Sequence, residues 1–121
     1  MEKLIVKIEK KHKDYFFNSD RNRIVFIKDK NEILNTKDFV LDSEIKSDMI
    51  KYSIDEIRFE KVEDSCSLNN SFTKVFFKIE DNSLDEISYY LYEYCGNSKE
   101  FHSKSIWYKP FKLKWGLYIE R

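Results

Sequence analysis

The sequence predicts an α+β domain that is mainly antiparallel β: a single compact sheet of five or six strands with one or two short helices. The chain has no alanine, the best helix former, and is rich in Ile, Phe, Tyr and Val, which suit pleated surfaces. Apolar and polar residues also alternate with a period of two through much of the chain. An all-β sandwich or barrel is the alternative architecture.

Length and composition predict one domain that spans residues 1–121. Apolar residues make up 41% of the 121 residues, enough for a core despite 36% charge, and no Pro/Gly/Ser-rich linker divides the chain. Only three apolar residues follow Met1-Glu2-Lys3, so we expect no signal peptide. No apolar run approaches the ~20 residues that span a bilayer. The expected protein is soluble and cytoplasmic.

Strands are expected where the alternation is regular. The strongest case is 111–120, where Phe111, Leu113 and Trp115 begin one face and Pro110 precedes the strand. Alternation also predicts strands at 4–9, 57–60 and 72–79, and the short apolar run over 24–27 predicts another.

Helices are expected in two places. Ser43 is a candidate cap for a short helix over 42–50, in which Ile45 and Met49 share a face. The sequence pattern over residues 83–95 fits a helix and a strand almost equally well. Ser83-Leu84-Asp85-Glu86 is a capping-box pattern, whereas the tyrosines that follow favour a strand. In the strand frame Glu93 falls on the face of Tyr89 and Leu91 and breaks it, so the helix is slightly favoured.

The residue inventory argues against an enzyme and against a bound cofactor. Two glycines, Gly96 and Gly116, are too few for a phosphate-cradling loop. The histidines and cysteines have no metal-ligand spacing, so no metal is expected. Cys95 and His102 are a conceivable nucleophile and base, but packing and exposure are the expected roles. In a cytoplasmic protein Cys66 and Cys95 are expected to be reduced, with a Cys66–Cys95 disulfide left open.

Charge is segregated along a chain of zero net charge. Residues 1–30 hold nine basic and five acidic residues, 31–100 hold eight and sixteen, and 101–121 hold five and one. A neutral total argues against binding a polyanion through bulk charge. The segregation leaves room for one acidic and one basic surface.

The acidic block predicts a non-enzymatic protein-binding module. Carboxylates beside aromatic anchors suit a basic partner, because charge steers the encounter and aromatics supply buried contact. The sharper hypothesis is a small inhibitor, immunity-type protein or antitoxin that neutralises a basic partner such as a nuclease. The partner-binding residues of this hypothesis are Asp55, Glu56, Glu60, Glu63, Asp64, Glu80, Asp81, Asp85, Glu86, Tyr89, Tyr90 and Tyr92.

The basic C-terminal block predicts the alternative function, a nucleic-acid or nucleotide-binding protein. Lysines interleaved with aromatics on a strand can hold phosphates while bases stack on the rings. A structural role for these aromatics and an ordinary solvated outer face for these lysines are the competing interpretations. The residues concerned are Lys104, Trp107, Tyr108, Lys109, Lys112 and Lys114.

Overall fold

The computed structural model describes residues 2–11, 23–26, 43–60, 74–80 and 85–121. In these ranges the chain forms two helices and one antiparallel sheet of seven strands. The helices are α1 (Glu2–Lys11) and α2 (Ser43–Lys51). The strands are β1 (Arg23–Phe26), β2 (Ile54–Glu60), β3 (Lys74–Ile79), β4 (Ile87–Glu93), β5 (Phe101–His102), β6 (Ile106–Lys112) and β7 (Trp115–Glu120). The predicted α+β class with a single sheet and short helices is confirmed; β5, with two residues, is the strand beyond the expected six.

The spatial order of the strands is β1-β2-β3-β4-β7-β6-β5. Neighbours along the chain pair as hairpins from β2 to β4, and β7 then pairs with β4, with Tyr90 opposite Leu117. The C-terminal hairpin therefore lies beside β4 with its second strand innermost. The connection from β4 to β5 passes β7 and β6, which leaves β5 at the sheet edge among the described strands.

The two faces of the sheet differ in what they carry. On the helix face, apolar side chains from the central strands pack with those of α1 and α2 in one buried cluster. Its members include Leu4, Ile8, Ile45, Met49, Ile57, Phe59, Val75, Phe77, Tyr92 and Trp115. The opposite face carries a smaller buried cluster of Phe76, Tyr89, Leu91 and Tyr108, with Tyr118 against it. Charged side chains alternate with these aromatics on the same face.

The N-terminal segment forms α1, so the prediction of a strand there is wrong. Leu4, Ile5 and Ile8 are buried and Val6 is 59% exposed, which is a helical stripe rather than a two-residue alternation. Over so few residues the two periods are hard to separate. The amine of Lys7 donates a hydrogen bond of 2.7 Å to Asp48 of α2, and this bond ties the two helices together.

The predicted strand over 111–120 is two strands joined by a turn at Leu113-Lys114. Lys112 pairs with Trp115, Lys114 has a φ of 69°, and Leu113 is 77% exposed. Tight hairpin turns favour Asn or Gly where φ is positive, and a lysine at that position gives no such signal. The apolar alternation continued through the turn and concealed it.

Residues 87–93 form β4, so the preference for a helix over 83–95 is wrong. Glu93, which breaks the apolar alternation, is 3% exposed on the opposite face beside Leu91. The expected helix with Ile45 and Met49 on its buried side is confirmed as α2, and the strands expected near 24–27, 57–60 and 72–79 are confirmed as β1, β2 and β3.

Candidate functional site

The acidic residues nominated from the sequence lie in different environments. Asp55 and Glu56 are consecutive in β2, at an irregularity of the β2–β3 register, and both are at least nine-tenths buried. Glu80 and Asp85 are exposed after β3 and before β4. Glu63, Asp64 and Asp81 lie outside the described residues.

Two further carboxylates of the nominated set are ion-paired. Glu60 lies 3.2 Å from the Nε of Arg58, and Glu86 accepts a hydrogen bond of 3.1 Å from the Nε of Arg121. Such pairs at or near the surface contribute little stability, but each places a positive charge beside the negative one. Of the nominated carboxylates that the structure describes, Glu80 and Asp85 are the exposed ones.

The nominated tyrosines act as packing residues. Tyr89 and Tyr92 are buried on opposite faces of β4, and Tyr90 is half-buried against the helix-face cluster. The guanidinium of Arg58 lies 4.4 Å from the centre of the Phe76 ring and 5.3 Å from that of Tyr89. Tyr89 thus takes part in an internal cation–π contact with Arg58.

Glu56 is a buried carboxyl whose surroundings favour the neutral form. Desolvation raises its pKa above the usual 4.5, although the charges of Lys78 and Arg58 act in the lowering direction. Nearby Asp55 and Glu120 also raise this pKa. The side chain is consequently poorly placed to attract a cationic partner.

A second buried carboxylate, Glu93, is the centre of the best-defined polar cluster among the described residues. Its Oε2 accepts hydrogen bonds from the Tyr108 hydroxyl at 2.7 Å and from the Ser98 backbone N–H at 2.8 Å. Its Oε1 accepts one from the Ser98 hydroxyl at 2.6 Å, and the Lys74 amine lies 3.9 Å away. A buried carboxylate needs such partners, and here both oxygens have them.

Gly116 allows Tyr108 to reach this cluster. A Cβ at position 116 would lie 2.4 Å from Cε2 of the Tyr108 ring, closer than two carbons can approach. The ring therefore lies directly over the backbone of β7, between its own strand β6 and Glu93 on β4. A strand glycine often marks this kind of close approach. Burial and the bond to Glu93 raise the pKa of Tyr108 to about 12, so the phenol keeps its proton and acts as a donor.

Asn97 connects the loop after β4 to the β6–β7 turn. Its side-chain amide donates to the backbone carbonyls of Lys112 and Trp115, each at 3.0 Å, and its carbonyl accepts from the Lys114 N–H at 2.6 Å. The side chain thus supplies partners to a turn whose residues lack the usual turn chemistry. The sequence analysis did not predict that Glu93 and Ser98 are hydrogen-bonded partners. The charged residue at position 93 on an otherwise apolar strand face was the one sign of a buried polar contact.

The basic residues nominated from the sequence include an exposed subset. Lys104 and Lys109 are exposed, and Trp107 is half-buried with its ring 5.5 Å from that of His102, edge to face. Trp107 and Lys109 are two residues apart in β6 and share its helix face. Tyr108 points to the other face and is 3% exposed, so it is unavailable for stacking on a ligand.

The other two nominated lysines are already engaged. The Lys112 amine lies 2.9 Å from Glu2 of α1, and the Lys114 amine lies 5.1 Å from the centre of the Tyr94 ring. Large apolar side chains are also exposed nearby, namely Phe101, Phe111 and Leu113. We call residues 99–114 the basic edge; it holds five lysines against one acidic residue, Glu100.

Cys95 is disulfide-bonded, which corrects the expectation of a reduced thiol; Cys66, the other cysteine of the chain, lies outside the described residues. A disulfide sulfur is not a thiolate nucleophile, so the Cys95–His102 arrangement draws no support. His102 instead lies 3.3 Å from Glu100 on the surface. In the described parts of the chain, no three of His, Cys, Asp and Glu are grouped so as to hold a metal ion.

Neither described helix is long and apolar enough to cross a membrane. Comparison with protein-family models, with curated proteins and with solved structures found no match to this chain.

Proposed function

We propose that the chain is a non-enzymatic binding protein that holds single-stranded nucleic acid along the basic edge. The observation that carries the proposal is that Trp107 and Lys109 lie next to each other on one side of β6. Exposed Lys104 lies at the adjoining turn. Lysines that bind phosphates beside an accessible ring are the elements of a sequence-tolerant single-strand site.

The dimensions of the basic edge fit an extended ligand. Trp107 to Lys112 covers about 16 Å of strand at ~3.3 Å per residue. Ring contact is available from Trp107 and His102, and exposed Phe111 lies further along the same side of β6. Because the whole chain is neutral, attraction is local to this edge, and affinity depends on few phosphate contacts.

The chemistry of the described residues supports binding rather than catalysis. The strongest polar cluster has its carboxylate, Glu93, bonded on both oxygens, and the phenol of Tyr108 holds its proton tightly. With its pKa raised to about 12, the Tyr108 phenol is not poised to transfer a proton near neutral pH, where a catalytic acid or base needs its pKa.

The inhibitor function expected from the acidic segments draws less support. Burial of Asp55 and Glu56 and the ion pairs of Glu60 and Glu86 leave few exposed carboxylates in the described part of the nominated set. The basic edge, in contrast, is exposed over most of its nominated lysines.

The test is a fluorescence-anisotropy titration of a labelled oligothymidylate at two salt concentrations. With three or four phosphates contacted, the logarithm of the affinity should fall with the logarithm of salt with a slope of about −2 to −3. The double variant Lys104→Gln/Lys109→Gln should bind at least about fivefold more weakly and show a shallower slope by about 1 to 2.

The matched control is Lys46→Gln, an exposed lysine of α2. It should alter affinity by less than about twofold, since it lies outside the basic edge. Equal weakening by the control, or no binding at low salt, would remove the proposal.

A further inference from the structure

The opposite face of the sheet, away from the side of β6 that carries Trp107 and Lys109, contains a cavity of about 210 Å³. Its floor comes from β4, β7 and β6, and one wall comes from the segment that leads into β5. Apolar surface is supplied by Leu91, Phe101, Ile106 and Tyr118. Few polar groups interrupt it, which is typical of a small-molecule site.

The size of the cavity suits an occupant with a single ring. An apolar cavity of about 150 Å³ accommodates benzene, so the present volume has room for one ring with a small substituent. Drug-sized ligands and nucleotides need cavities of roughly 300 Å³ or more. The volume therefore suits a single ring better than a complete nucleotide of the kind proposed for the basic edge.

The charges around the cavity favour an anionic substituent. The Glu93 carboxylate lies in the lining, but its oxygens already accept bonds from Ser98 and Tyr108 and offer little to a ligand donor. The Lys74 amine is ion-paired with Glu93 at 3.9 Å without a hydrogen bond, and Lys99 is exposed at the same cavity. Two ammonium groups against one satisfied carboxylate leave a net positive charge for a ligand.

We propose that this cavity binds a small monocyclic aromatic carboxylate. The ring packs on Leu91, Ile106 and Tyr118, and the carboxylate faces the amines of Lys74 and Lys99. The ring supplies apolar burial and the charge fixes the orientation of the ligand, as is usual in small-molecule sites. The site lies across the sheet from Trp107 and Lys109, so it is independent of the nucleic-acid proposal.

The test is a titration of the ¹⁵N-labelled full chain with benzoate, followed by amide chemical shifts. A ligand of about nine non-hydrogen atoms at ordinary efficiency should bind with a Kd of about 0.1–1 mM. Shifts should centre on residues 91 and 106 and on the 98–101 segment. Benzamide, which keeps the ring without the charge, and acetate, which keeps the charge without the ring, should each bind at least about tenfold more weakly.

Substitutions separate this site from general charge attraction. Lys74→Gln should weaken benzoate about tenfold and Lys99→Gln about threefold, because the first lysine is the less exposed. Lys109→Gln, the same change on the helix face of β6, should change affinity less than about twofold. Ile106→Trp should fill the cavity and weaken benzoate at least about tenfold, which keeps the test valid if Lys74→Gln fails to fold.

Three results would overturn the proposal. They are the absence of saturable shifts up to about 20 mM benzoate, roughly twenty times the weakest expected Kd, equal binding of benzamide, and equal weakening by Lys74→Gln and Lys109→Gln.

Discussion

The two faces of the sheet are stabilised in different ways. The helix face is an apolar layer in which residues such as Phe77, Ile57 and Trp115 pack under α1 and α2. The opposite face mixes buried rings with charged groups, and its most buried carboxylate, Glu93, is bonded by Tyr108 and by the loop after β4. Apolar packing needs only shape and volume, whereas a buried charge needs each partner in place.

This difference predicts how each face responds to substitution. On the helix face the cost of a change should follow the volume removed. On the opposite face it should follow hydrogen bonds and close contacts, and changes should depend strongly on one another.

The largest expected effect is on the helix face. Phe77→Ala removes a fully buried ring that lies 5.8 Å from the Trp115 ring, and should lower the free energy of unfolding by about 3–5 kcal/mol. Phe101→Ala, an exposed ring, should cost less than about 1 kcal/mol. Urea denaturation followed by tryptophan fluorescence measures both. Similar costs for the two variants would show that the helix face is not the core.

Gly116→Ala is the next largest effect and belongs to the opposite face. The added Cβ displaces the Tyr108 ring and breaks its bond to Glu93, and should cost about 2–4 kcal/mol. In a Tyr108→Ala background the same substitution should cost at least about 1 kcal/mol less, because the clash is gone.

Gly96→Ala is the matched control for the glycine substitution. Gly96 has a φ of +106° and no heavy atom near the place of a Cβ, so its cost of about 1–2 kcal/mol comes from backbone strain. That cost should be the same with or without Tyr108. If truncation of Tyr108 relieves both glycine variants equally, the close contact at Gly116 is not the cause.

A smaller effect is expected from Tyr108→Phe, which removes one donor to Glu93 and keeps the ring. Loss of a hydrogen bond to a buried charge should cost about 1.5–3 kcal/mol. Ser98→Ala removes the other side-chain hydroxyl on this carboxylate, and the double variant should deviate from additivity by at least about 0.5 kcal/mol. Strict additivity in urea denaturation would mean that the two hydroxyls do not share one carboxylate.

The smallest effect concerns Glu56 and depends on pH. Its pKa is raised in the folded state, so the folded chain binds a proton more tightly than the unfolded chain in the window just above pH 4.5. The tighter proton binding stabilises the folded chain at low pH, and this stabilisation is lost as pH rises through that window. Glu56→Gln should gain stability relative to the parent between pH 4.5 and pH 7, as followed by denaturation at both values. A relative loss over the same interval would contradict the cause assigned to the shift.

The sequence predicted the helix face better than the opposite face. The alternation of Val75 and Phe77 in β3 and the spacing of Ile45 and Met49 in α2 depend on local periodicity, which a sequence carries directly. The N-terminal segment is the exception, since six residues fit both a strand and a helix.

The opposite face was harder to predict because its stability depends on contacts between distant positions. Glu93 broke the strand pattern and favoured a helix, although its partners Ser98 and Tyr108 explain its burial. Gly116 was noted only as a rare glycine, since nothing local shows that a ring from another strand lies over it. The charge blocks were likewise poor guides to surfaces, because Asp55 and Glu56 are buried and Lys112 is paired with α1.

The most direct test of the proposed function uses the two tryptophans as reporters in a ¹H–¹⁵N correlation spectrum. Trp107 lies on the basic edge, whereas Trp115 is 2% exposed in the helix-face core. On addition of oligothymidylate at low salt, the indole signal of Trp107 and the amides of Lys104 and Lys109 should shift, and the indole signal of Trp115 should stay in place. An unmoved Trp107 signal, or shifts centred on Glu80 and Asp85, would contradict the account.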